Sequence, residues 1–177
     1  MDKTQLGVAR GMGLALLTAA AAFAFSATYV ARVWGVGSDL TSRATVVSWA
    51  LVMPAFALFV CIARLAKHRF FTPEDIHGSG LTGGTDKAKL LQALLQNTLE
   101  QSCLALPVYI ATSIVAPAAL LPVVPAAAVM FLVGRLFFFV GYANGAPARA
   151  FGFGLTFYPT VLLLFLLVAL GVWKAVS

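Results

Sequence analysis

Long charge-free intervals constrain this chain more than any other feature. No residue between Arg10 and Arg32 carries a charge, nor any between Arg43 and Arg64, Glu100 and Arg135, or Arg149 and Lys174. Crossing about 30 Å of hydrocarbon takes roughly 20 apolar residues in a helix, and lipid leaves no other way to satisfy the backbone of a lone segment. Three of the intervals each suit one crossing. The interval from Glu100 to Arg135 is too long for one, and Pro117, Pro122 and Pro125 interrupt it, so it predicts the halves of two helices joined by a tight turn. The expected spans are 9–32, 43–66, 87–115, 120–143 and 150–174.

Composition agrees. Hydrophobic residues make up 61% of the chain and charged ones 10%, with a mean hydropathy of +0.94, whereas soluble domains carry about 25% charge. This excludes a cytosolic globule, a disordered chain and a nucleic-acid reader built on a dense basic face. The net charge of +6 reads as positive-inside bias, because the cations gather at the ends of apolar runs. Arg64, Lys67, Arg69, Lys87 and Lys89 surround the second connection, which is therefore expected in the cytoplasm together with the N-terminus and the Asn144–Arg149 turn. Arg32 and Arg43 run against that rule.

The first span shares features with a secretory signal, including Lys3 and Arg10 ahead of an Ala-rich run. Its apolar stretch is longer than such a signal needs, and Tyr29, Arg32 and Trp34 mark a far interface, so it reads as a retained helix. The hydrophilic loop at 67–86 holds His68, His77, Glu74, Asp75 and the glycines Gly78, Gly80, Gly83 and Gly84. The irregular His spacing argues for a solvated loop and no metal. Cys61 and Cys103 lie in apolar stretches and read as buried small hydrophobes.

Charges at bilayer depth are costly, about 2.5–3.5 kcal/mol each on insertion scales, and normally face a bundle interior or a watery cavity. Glu100 sits well inside the third span and Arg135 two turns before the end of the fourth. Asn97 and Glu100 stand at i and i+3, and Arg135, Phe138 or Phe139, and Tyr142 follow i, i+3/i+4, i+7 on the next span, so two polar stripes on neighbouring helices are expected to define one site. A bare Glu100–Arg135 pair would not require Asn97, Tyr142 and Arg149 near the same cytoplasmic end. Pro147 suits the start of a helix, which puts Arg149 in its first turn, against the positive end of the dipole. A cation there suggests a negative ligand held between the guanidinium and free backbone N–H groups.

Asn97-x-x-Glu100, then Gly134-Arg135 with Gly141-Tyr142, then Arg149 resemble the MAPEG family, the membrane-associated proteins in eicosanoid and glutathione metabolism, in particular its leukotriene C4 synthase-like and microsomal glutathione S-transferase-like branches. The likeness covers roughly residues 60–175. It implies an all-α membrane protein with a four-helix bundle at 43–177, preceded by one extra transmembrane helix and loop at 1–42. It further implies a homotrimer in lipid with glutathione as co-substrate, bound by Asn97, Glu100, Arg135 and Tyr142 near the cytoplasmic side, and Arg149 as the catalytic residue beside the sulfur. The second substrate is then a lipophilic small molecule. Cytoplasmic glutathione and the lack of organelle signals favour a multi-pass protein of a bacterial inner membrane. Two positions depart from the pattern. Ala93 stands where catalytic members usually carry an Arg for a glutathione carboxylate, and Phe138 replaces a frequent Tyr, so a non-catalytic lipid-binding or scaffold member is the alternative.

Overall fold

Three of the long helices begin where a short polar side chain takes up free N–H groups, one follows a proline-bracketed turn, and one follows a glycine at positive φ. The computed structural model describes residues 1–35, 37, 39–78, 81 and 83–176; Gly80 lies outside them. Helix α1, Lys3–Val33, starts in a capping box: Asp2 accepts from the Gln5 amide at 2.6 Å, and the Gln5 side chain accepts from the Asp2 amide at 3.0 Å. Its stretch Ser26–Val30 is wound as a π-helix. Asp39 caps α2, Leu40–Phe71, through the Ser42 amide, and Thr85 caps α3, Asp86–Val115, through Ala88. Pro117 and Pro122 bracket the turn into α4, Val123–Gly141. The last connection is tighter. Gly145, at φ +91°, reverses the chain into α5, Ala146–Val176, a backbone state that favours glycine.

All five helices are long and apolar enough to cross a membrane, and the chain is an integral, multi-pass, all-α membrane protein. The helices overrun the charge-free intervals at several ends. Helix α1 begins at Lys3, α2 continues to Phe71 and α5 begins at Ala146, because a helix carries its polar end residues into the interface beyond the hydrocarbon. The expected division at 42/43 falls within the first turn of α2. Trp49, Val140 and Phe165 are exposed on the outer faces, as lipid contact requires.

Small residues let the helices approach closely, which is how membrane bundles pack without a hydrophobic force between them. Ala50 and Ala57 of α2, Ala105 and Tyr109 of α3, Ala127 and Phe131 of α4, and Leu163 of α5 form the main core. A separate cluster joins Ala15 and Ala19 of α1 to Met130 and Leu155. Between α4 and α5 the backbones nearly touch: a Cβ on Gly152 would collide with the main chain of Phe137 and Phe138, and one on Gly141 with that of Ala148.

Arg43 has a structural role that explains its place on the poorly charged side. Its Nη1 donates to the carbonyls of Ser113 at 2.9 Å, Ile114 at 3.3 Å and Ala116 at 2.9 Å. These are the orphan acceptors at the end of α3, where a cation also meets the negative pole of the dipole.

The hydrophilic loop is more ordered than a solvated linker. Asp75 is buried; its carboxylate accepts from the Thr85 amide at 2.8 Å and the Thr85 hydroxyl at 2.6 Å, and lies 2.9 Å from His68 Nε2. Thr85 thus links the loop to the α3 cap. The two cysteines differ from expectation in one respect. Cys61 is buried with its sulfur 3.4 Å from the Thr98 hydroxyl, whereas Cys103 is exposed on the outer face of α3.

Candidate functional site

Arg135 is the centre of the polar arrangement. It is fully buried on α4, its Nε donates to the Thr156 hydroxyl at 3.0 Å and its Nη1 donates to Asn97 Oδ1 at 2.8 Å. The guanidinium carbon lies 4.4 Å from the Phe138 ring centroid and 5.9 Å from that of Phe131, so aromatic faces take part of its charge. Among the described residues, its Nη2 has no hydrogen-bond partner. An unmet buried donor costs about 1–3 kcal/mol, more when charged, and an acceptor reaching it would remove that penalty.

Thr156 can accept from Arg135 only because α4 and α5 are so close. A Cβ on Gly134 would lie 2.8 Å from the Thr156 amide nitrogen and 2.9 Å from the Gly152 carbonyl. The Thr156 hydroxyl donates in turn to the Gly152 carbonyl at 3.0 Å, which leaves its lone pairs for the guanidinium.

Beside this buried network lies a cavity of about 350 Å³ lined by Asn97, Phe138, Tyr142, Ala146, Arg149, Ala150 and Phe153, together with Val8 and Met12 from α1. Arg149 stands in the first turn of α5 and its guanidinium carbon sits 4.3 Å over the Tyr142 ring centroid. Tyr142 meets Phe138 edge-on at 5.2 Å. Arg149, Tyr142, Phe138 and Arg135 thus form a continuous run of two touching rings with a cation at each end. An anion in the cavity would meet the Arg149 charge and the N-terminal end of α5.

Four of the five residues singled out from the sequence come together here. Asn97, Tyr142 and Arg149 line the cavity and Arg135 holds Asn97 from behind. Glu100 stands apart: it is exposed, its carboxylate accepts from the Gln96 side chain at 3.0 Å, and no ion pair joins it to Arg135. Residues three apart on a helix differ by about 60° around its axis. That offset turns Glu100 to the outside while Asn97 faces the bundle. Thr156, Phe153, Val8 and Met12 were not foreseen. Thr156 sits in an otherwise apolar run, and a lone hydroxyl there normally bonds its own helix.

Ala93 does not leave its surroundings without a cation. It lines a groove of about 370 Å³ with Lys89, Gln92, Gln96, Ala88, Gly83 and Gly84. Lys89 is one turn before Ala93, and Arg69 donates to the Gln92 side chain at 3.2 Å.

A family model described as the MAPEG family matches residues 42–169, most of the chain. The chain belongs to the MAPEG family. The match begins in the first turn of α2 and ends within α5, so in this MAPEG protein α1 lies outside the family's shared segment. No curated protein and no solved structure shows a significant match to the chain.

Proposed function

We propose that this MAPEG protein is a glutathione-dependent transferase or peroxidase that acts on lipophilic electrophiles. The observation that carries the reading is Arg149: a cation in the first turn of α5, packed on Tyr142 and lining a cavity with Asn97. An isolated cation is unfavourable at that end of a helix, and a thiolate bound beside it gives the charge a purpose. The residues fit the tripeptide in kind. Asn97 and Tyr142 offer hydrogen bonds, Arg135 Nη2 is a buried donor without a partner among the described residues, and Lys89, 3.6 Å from Asp86, stands near Ala93 as a cation for a carboxylate.

Chemically, a thiol of pKa about 8.5 is only a few per cent thiolate at pH 7, and each unit of lowering needs about 1.4 kcal/mol of selective interaction with the anion. A guanidinium at contact distance in a partly dry site supplies that amount. The sulfur then attacks an electrophilic carbon; the S–C bond forms as the leaving group departs with its electron pair, and the thiol proton goes to solvent. With a lipid hydroperoxide the sulfur attacks oxygen, the O–O bond breaks and an alcohol leaves. The attacked sulfur becomes a sulfenic acid, and the thiol of a second glutathione displaces its hydroxyl to give the disulfide and water.

We further read the working unit as a homotrimer in a bacterial inner membrane with glutathione between subunits. The outward position of Glu100 on a single chain supports a role across a subunit boundary. The non-catalytic alternative draws on Phe138, which lacks a hydroxyl and packs its ring on Arg135. Titration of the detergent-purified protein with glutathione, followed by thiolate absorbance in the ultraviolet, separates the two. The enzyme reading expects a signal in the wild type, and its absence favours the lipid-binding member.

A further inference from the structure

Helix α1 lies outside the family's matched segment, yet it contributes Val8 and Met12 to the cavity that Arg149 lines. Its position is fixed by close contacts at four-residue intervals. A Cβ on Gly7 would lie 2.9 Å from the Pro147 Cβ, one on Gly11 would lie 3.0 Å from the Ala150 Cβ, and one on Gly154 would lie 2.7 Å from the Ala15 Cβ. Such a small-residue seam lets α1 sit directly on the first turns of α5, the segment that carries Arg149. Neither α1 residue in the cavity is polar. They stand with Ala150 and Phe153 as apolar lining, while Asn97, Tyr142 and Arg149 supply the polar part.

The volume sharpens the point. About 350 Å³ is near the lower end of the roughly 300–1,000 Å³ typical of ligand sites, so the cavity accommodates the reacting ends of two molecules and not the whole of both. An apolar group that approaches an anion at Arg149 meets Val8 and Met12 of α1 on one side, with Phe138, Ala150 and Phe153 on the others. Met12 is half-buried, and its sulfur lies 3.3 Å from where a Cβ on Gly154 would stand. It is a flexible thioether placed between the seam and the cavity.

We propose that α1 is the wall of the acceptor pocket, and that Met12 sets the size of the apolar group admitted beside Arg149. The ligand class is a glutathione-reactive molecule whose electrophilic end carries a slender, alkyl-like apolar group. This rests on the glutathione reading above.

The test is calorimetric titration of the full-length protein in detergent with S-methylglutathione and S-hexylglutathione, which share the peptide and differ only in the group on sulfur. Wild type should favour the hexyl compound. Met12→Trp should weaken the hexyl compound about ten-fold, the scale on which apolar pockets discriminate by size, while changing S-methylglutathione by less than about two-fold. Met12→Ala, which creates space and guards against misfolding of the Trp variant, should raise the affinity for the bulkier S-benzylglutathione relative to S-hexylglutathione. If S-methylglutathione binds but the relative affinities are the same in wild type and both variants, the role of α1 is overturned and the glutathione reading stands. If wild type binds none of the three, the glutathione reading falls and this inference falls with it.

Discussion

Asn97 Oδ1 accepts from Arg135 Nη1 at 2.8 Å, so that a polar residue on α3 anchors the buried cation of α4 at the edge of the cavity. The two do not contribute equally to stability. Asn97→Leu leaves the guanidinium buried with one acceptor fewer and should cost about 2–3 kcal/mol. Arg135→Met removes the charge together with its need for partners and should cost less. The double variant should be more stable than Asn97→Leu alone. Thermal unfolding in detergent gives the order, and equal losses from the two single changes would contradict the account.

Gly152 faces the main chain of Phe137 and Phe138 across the α4–α5 contact. Gly152→Ala should push the helices apart, cost about 3 kcal/mol or more and loosen the Thr156–Arg135 bond. Gly171, where an added Cβ meets nothing within 4 Å among the described residues, is the control: Gly171→Ala should leave the melting temperature unchanged or slightly raised.

Arg43 closes the end of α3 through three carbonyls. Arg43→Met keeps much of the apolar stem but removes the donors, and should lower stability by about 1–2 kcal/mol. Hydrogen exchange should rise around residues 110–116 and not at the opposite end of the bundle. Uniform exchange along α3 would show that the cap is not what holds this end.

Asp75 is held below the usual carboxylate range, chiefly by the Thr85 hydroxyl and amide and further by His68. Because its folded pKa is depressed, its contribution is fully present above the ordinary Asp value and is lost as pH falls through the lower folded value. The loop should therefore loosen only in the acid range, below about pH 4. Asp75→Asn should reduce that acid sensitivity and lower stability at neutral pH, as read by proteolysis of the 72–85 segment across pH. An unchanged acid profile in the variant would rule out Asp75 as its source.

Much of this molecule was legible before its coordinates were. Charge-free intervals located five crossings because lipid rejects ionised side chains, and Pro117, Pro122 and Pro125 divided the longest. Arg135, Asn97, Tyr142 and Arg149 stood out because polar groups at depth need a reason. The position of Glu100 was not legible, since a difference of one helical face depends on how far α3 rotates against α4, which only packing decides. The order in the hydrophilic loop was hidden for a related reason: Asp75 finds Thr85 ten positions later, and no periodicity announces a contact of that kind. The α1–α5 seam was written in Gly7, Gly11, Ala15 and Ala19, but small residues in an Ala-rich helix suggest no particular partner.

The central claim is that Arg149 holds a glutathione thiolate, and its most direct measurement is the ultraviolet absorbance of thiolate when glutathione is added to the purified protein. The account predicts a saturable signal in the wild type that Arg149→Ala abolishes while its melting curve stays within a few degrees of wild type, with Arg149→Lys restoring part of it. A signal of equal size in Arg149→Ala, or none in a folded wild type, would contradict it.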